Sequence, residues 1–185
     1  MNTLELVASL IALAGVYFTV REKVVGWPLG IIGAALYVIL FYQSLLYAES
    51  LLQALYVIVG IYGWIKWSAH RETGEILISR MPFKTKSISV IVWLCFSIAS
   101  GFILDRFSPT DVPYPDAALA VAGVIITWQM ANKYIENWLN WIVADLLSAA
   151  LFFYKHLYFA SGLYVILAAL AVYGYLKWKK DLQTA

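Results

Sequence analysis

The chain has 185 residues, of which 63% are hydrophobic, 16% aromatic and only 13% charged, with a formal net charge of +2. Apolar content this high excludes an ordinary soluble domain and predicts an all-α integral membrane protein forming a single transmembrane domain over residues 1–185. The charge leaves no footprint for nucleic acid, and the single cysteine, Cys95, leaves no disulfide framework and no thiol pair for a metal.

Seven apolar segments follow one another, each read as a membrane span. The first runs from about Leu4 to Val20, the second from Trp27 to Gln43, and the third from Glu49 to Trp67. A polar loop from Ser68 to Lys86 separates them from the fourth, Ser87 to Leu104. The Pro- and Asp-containing stretch Ser108 to Pro113 leads into the fifth, Asp116 to Ala131. The sixth is Trp138 to Tyr154 and the seventh Leu157 to Lys177. No cleavable signal peptide is expected: the first apolar run starts at once, contains Glu5, and has Arg21 and Lys23 behind it.

Basic residues sort cleanly between the two sides. Arg21, Lys23, Lys66, Arg71, Arg80, Lys84, Lys86, Lys133, Lys177, Lys179 and Lys180 fall on one side, and only Arg106 and Lys155 on the other. Positive charge favours the cytoplasm, so the N-terminus is expected outside and the C-terminus inside a bacterial inner membrane.

The chain repeats itself. Shifted by 111 residues without a gap, Trp27 meets Trp138, Leu46-Tyr47 meets Leu157-Tyr158, Tyr62-Gly63 meets Tyr173-Gly174, and Lys66-Trp67 meets Lys177-Trp178. Thirteen of the 41 positions from Trp27 to Trp67 are identical, more than shared hydrophobicity explains. This predicts two parallel three-helix repeats, residues 1–67 and 112–178, joined by a loop and connector helix in 68–111, with a substrate site at the midplane between them.

The halves differ where chemistry is expected. Trp138, Trp141, Asp145 and Ser148 share one face of the sixth span, and Asp145 lies roughly 10 Å below its start, at 1.5 Å per residue. The first repeat has Gly30, Ala34 and Tyr37 where the second has Trp141, Asp145 and Ser148. Ionisable groups at that depth usually face a cavity or a partner, and two indoles with a carboxylate suit a small, flat, cationic ligand. Trp138 reads equally well as an interfacial anchor like Trp27. Gln53 and Tyr56 could line the same site or bond between helices, Trp128 could line a mouth or anchor at the interface, and Tyr37 and Tyr164 are further candidates. His70 and His156 sit in a loop and a turn, so no catalytic set, metal site or cofactor site is expected, and the chain reads as a non-enzyme.

Glu136-Asn137-Trp138-x-x-Trp141-x-x-x-Asp145, the run Leu46-Tyr47…Leu51-Leu52-Gln53, and Tyr62-Gly63-Trp64-x-x-Trp67 resemble the bacterial Pnu-type vitamin transporters. That family comprises the nicotinamide riboside transporters called PnuC and relatives that take thiamine or riboflavin. The resemblance spans nearly the whole chain. It implies a fold like a full-length SWEET transporter, facilitated diffusion, and a cytoplasmic vitamin kinase that traps the import. It also places Trp138, Trp141, Asp145 and Gln53 at the ligand. Some family members carry Asn at the position of Asp145 and another Asn at that of Gly33. Nicotinamide riboside and thiamine both present a cationic aromatic ring, whereas riboflavin is neutral and larger. The expectation is therefore nicotinamide riboside first and thiamine second, with the bilayer as environment and a homo-oligomer left open. A membrane receptor or assembly subunit is the competing class.

Overall fold

The computed structural model describes residues 3–43, 47–73 and 77–184. Among them are seven helices: α1 (Thr3–Val20), α2 (Gly26–Gln43), α3 (Tyr47–Thr73), α4 (Phe83–Phe107), α5 (Pro113–Ala131), α6 (Glu136–Tyr154) and α7 (Tyr158–Thr184). Leu46 lies outside the described residues, as do the side chains of Glu5, Tyr47, His70 and Arg71.

The helices overshoot the apolar segments. The stretch expected as a loop from Ser68 to Lys86 is helical at both ends, because α3 continues to Thr73 and α4 begins at Phe83. Lys, Arg and Glu are good helix formers, so a helix nucleated by apolar packing runs on through them. Four helices contain a stretch long and apolar enough to cross a bilayer: Gly26–Gln43, Glu49–Ala69, Phe83–Phe107 and Ala160–Gln183, with a shorter apolar helix at Leu6–Val20. Neither α5 nor α6 is among them. Gln129 on α5 and Asn137, Asp145 and Ser148 on α6 lower their hydropathy, and all four side chains are buried within the bundle. A helix whose polar face is covered by neighbours need not be apolar all round.

Helix α2 packs on both α1 and α3, and α6 packs on both α7 and α5. Helix α4 packs on α5, while α3 meets α5 and α1 meets α7. Several bonds recur at a spacing of 111. Ser50 Oγ donates to Val38 O at 3.0 Å, and Ser161 Oγ to Ala149 O at 2.8 Å. The Trp67 indole N–H donates to Ala131 O at 3.1 Å, and that of Trp178 to Val20 O at 3.0 Å. The last turn of α5 is thus held by a tryptophan of α3, and the last turn of α1 by a tryptophan of α7. Each bond satisfies a carbonyl that the helix end leaves open.

Those two helix ends are built alike. Lys23 N–H donates to Phe18 O at 2.9 Å and Glu22 N–H to Thr19 O at 3.0 Å; Tyr134 N–H donates to Gln129 O at 3.1 Å and Lys133 N–H to Met130 O at 2.9 Å. This is the Schellman pattern, which needs a left-handed residue and favours glycine there. Glu22 (φ 56°) and Lys133 (φ 51°) fill the position instead. Their side chains meet, with Lys133 Nζ 2.7 Å from Glu22 Oε2 and 5.0 Å from the Trp67 ring centre.

Between these ends lies the main core, where Trp27, Trp67, Trp138 and Trp178 gather with Val20, Met130 and Ala131. Trp27 meets Trp67 edge-on at 5.4 Å, and Trp138 meets Trp178 edge-on at 5.3 Å. A side chain at Gly63 would come within 2.5 Å of the Trp27 indole, and one at Gly174 within 2.7 Å of Trp138. The segment before α4 closes over the same core. Ile78 and Met81 are buried, Ser79 N–H donates to Lys133 O at 3.1 Å, and Ile135 N–H donates to Ser79 O at 3.0 Å.

Candidate ligand-binding site

One face of α6 organises the site. From its N-terminus it carries Trp138, Trp141, Asp145 and Ser148, spaced so that each lies about one turn beyond the last. The structure divides this stripe by depth. Trp138, 1% exposed, belongs to the aromatic core against Trp178 and Gly174. Trp141 is half-buried and rests its body on that core. Its indole N–H is buried and, among the described residues, has no hydrogen-bond partner. Asp145 is 3% exposed, and among the described residues its carboxylate has no hydrogen-bond or ion-pair partner. Ser148 is also buried, one turn further on.

Helices α3 and α7 bring tyrosines to Asp145. Tyr56 on α3 and Tyr164 on α7 both lie within electrostatic reach of its carboxylate and of each other, and Tyr164 also reaches Tyr37 on α2. Tyr164 stacks on Phe152 with ring centres 5.2 Å apart, and Tyr37 stacks on Phe41 at 5.4 Å. The Tyr37 hydroxyl is 2.6 Å from Ser9 Oγ, which ties α2 to α1. Gln53 lies one turn before Tyr56 on α3 and occupies the repeat position of Tyr164, as Tyr37 occupies that of Ser148. The sequence candidates Tyr37, Tyr56, Tyr164 and Asp145 therefore converge from four helices. Trp128 does not join them. It packs against Tyr134 with ring centres 6.1 Å apart, beyond the last turn of α5.

Burying a carboxylate costs free energy unless a counter-charge or hydrogen bonds reach it. Among the described residues the titratable groups that reach Asp145 are the phenols of Tyr56 and Tyr164, which present π-faces and donors, and none is a cation. The arrangement suits a ligand that brings positive charge and a flat ring. Sequence reasoning missed one contributor, Gly123 on α5, against which the Tyr56 hydroxyl rests. A glycine inside an apolar helix gives no sign of what it faces.

A separate groove of about 730 Å³ lies on a different side, between α4 and α6 over α5. Val90, Trp93, Leu119, Ala122, Val143 and Leu147 line it, and Lys86 and Glu136 stand at one end. Its α6 residues are on the face opposite the stripe.

A bundle of apolar helices enclosing a carboxylate, phenols and indoles defines a multi-pass membrane protein with an internal polar site. The chain belongs to the nicotinamide mononucleotide transporter family, which it matches over residues 2–180. It is 25% identical to the nicotinamide riboside transporter PnuC of Escherichia coli, across 96% of this chain and 85% of that one. It is 22% identical to the riboflavin/roseoflavin transporter RibM of Streptomyces davaonensis, across 94% of this chain and 83% of that one. A crystal structure of the vitamin B3 transporter PnuC superposes with a TM-score of 0.78 over 98% of this chain and 82% of the other, at 24% identity.

Proposed function

We propose that the protein carries nicotinamide riboside across a bacterial inner membrane, with the ligand's cationic ring held between Trp141 and Asp145. The observation that carries this reading is the buried Asp145 carboxylate, without a partner among the described residues and faced by Tyr56 and Tyr164. Thiamine, also a cationic ring, is the second substrate. The relationship to RibM favours riboflavin as a third, against the charge argument. Trp138 acts beneath the site as packing, while Ser148 and Gln53 border it.

The recurrence of bonds at a spacing of 111 supports a 3+1+3 plan like that of a full-length SWEET transporter, with repeats at 1–67 and 112–178 and α4 in the connector 68–111. Import is by facilitated diffusion, and a cytoplasmic kinase retains the vitamin by phosphorylation. In the present conformation the four-tryptophan core seals one end of the path, which is the cytoplasmic end in this reading.

Titration calorimetry of the purified protein against nicotinamide riboside, thiamine and riboflavin tests the substrate, with nicotinamide riboside expected to bind most tightly. Liposomes without any ion gradient are expected to equilibrate that vitamin. If they do so only when a proton or sodium gradient is imposed, the facilitator reading fails.

A further inference from the structure

The repeat supplies an internal control for each contact between the two halves. Where α3 meets α5, Tyr56 faces Gly123; a Cβ added at Gly123 would overlap the Tyr56 hydroxyl oxygen outright and lie 3.1 Å from the ring carbon that bears it. At the positions related by 111 residues, α7 carries Leu167 and α1 carries Ala12. In the first repeat that methyl group meets Gly33 on α2, and the second repeat has Ala144 at the counterpart of Gly33. In the second half the bare position on the first helix receives a phenol instead. Gly123 is buried, and its carbonyl accepts a hydrogen bond from Thr127 Oγ1 at 2.8 Å. A glycine is a poor helix former, so its place in the middle of α5 has a cost in helix stability that packing against Tyr56 offsets.

We propose that Gly123 is a positioning residue: the bare Cα on α5 is the notch that seats the Tyr56 hydroxyl and so aims it into the ligand site beside Asp145. This rests on the reading of that site as the vitamin site. Tyr56 has no hydrogen-bond partner among the described residues. Its hydroxyl is therefore free to bond the polar half of a ligand whose ring lies at Asp145. The seat joins a residue of one half to a residue of the other, so it also sets how closely α3 approaches α5. A methyl group at Gly123 pushes the phenol off its seat; removing the hydroxyl as well makes room for that methyl.

The test is a double-mutant cycle with Gly123→Ala, Tyr56→Phe and both together, read by calorimetry with nicotinamide riboside and by thermal unfolding without ligand. Gly123→Ala alone is expected to weaken binding about tenfold or more, and to change it less than about twofold when Tyr56 is already Phe. The unfolding midpoint should show the same dependence, with Gly123→Ala lowering it beside Tyr56 and sparing it beside Phe. If Gly123→Ala alone fails to fold and the double variant folds, that rescue supports the seat. An equal loss of affinity in both backgrounds, wild-type affinity in Gly123→Ala, or a double variant that does not fold would overturn it. A wild-type protein that binds none of the vitamins would instead overturn the substrate reading, and the unfolding midpoints would still decide the seat.

Discussion

At the scale of single residues, α6 turns one helical stripe into two kinds of side chain. Trp138 and Trp141 are three positions apart and chemically identical, yet the first is enclosed by Trp178 and Gly174 and the second stands at the edge of the core. Trp141→Ala is expected to weaken vitamin binding by about tenfold to a hundredfold, from a stacking contribution of about 1–3 kcal/mol, while the protein still folds. Leu139, which is exposed on the opposite face, is the control; a loss in Leu139→Ala as large as in Trp141→Ala would mean that the indole only packs. Asp145→Asn keeps the shape and removes the charge. It should weaken binding of nicotinamide riboside or thiamine more than that of riboflavin, and equal losses for all three would remove the cation argument.

At the scale of elements, the ends of α1 and α5 are joined through charge. Lys133 is buried, with Glu22 and the Trp67 face as its partners, and Lys177 Nζ also approaches Glu22 at 3.7 Å. Glu22→Gln leaves the Lys133 ammonium buried without its carboxylate. That should cost up to about 3 kcal/mol, at the low end for a buried pair because Glu22 keeps some contact with water. Lys133→Gly removes the charge and puts the favoured residue at the left-handed position, so it should unfold at a higher temperature than Glu22→Gln. The reverse order in a thermal melt would show that the packing of the Lys133 side chain on Trp67 outweighs both the unpaired charge and the better cap.

The start of α4 is held by a second carboxylate. Glu136 accepts from Met81 N–H at 2.9 Å and pairs with Lys86 at 2.8 Å. Burial pushes its carboxyl up, but the Lys86 ammonium and the Met81 amide together outweigh that and hold it below the usual range. A depressed carboxyl stabilises the fold above the pKa it has when unfolded, and the gain is lost as pH falls through its folded value. The melting temperature of wild type should therefore exceed that of Glu136→Gln at neutral pH, and the gap should narrow as pH falls below the ordinary Glu value of about 4.3 and close beneath the lower folded one. A gap that persists in acid would mean that shape, not charge, makes the contact.

At the scale of the whole molecule, the two halves are bound to each other chiefly through α3 on α5 and α1 on α7. Their tryptophan bonds cross between halves, so neither half keeps its helix ends capped alone. Asp145, Tyr56 and Tyr164 come from α6, α3 and α7, so the proposed site draws residues from both halves. In the proposed orientation, which rests on eleven basic residues on one side against two on the other, the sealed end faces the cytoplasm. A reporter fused at the C-terminus should be active in the cytoplasm, and activity only in the periplasm would reverse the assignment.

Much of this was legible in the sequence because helix periodicity is a local property. The seven helices and the alignment of Trp141 with Asp145 on one face follow from residues a few positions apart, and the 111-residue shift from comparing the chain with itself. The helical ends of the Ser68–Lys86 stretch were not, since cooperative helix growth carries a chain past its apolar signal. Nor could sequence alone bury Trp138 in an aromatic core against Trp178, pair Glu22 with Lys133, or set Gly123 under Tyr56. Each of those depends on which segment arrives from far along the chain, and close packing between helices decides that by shape.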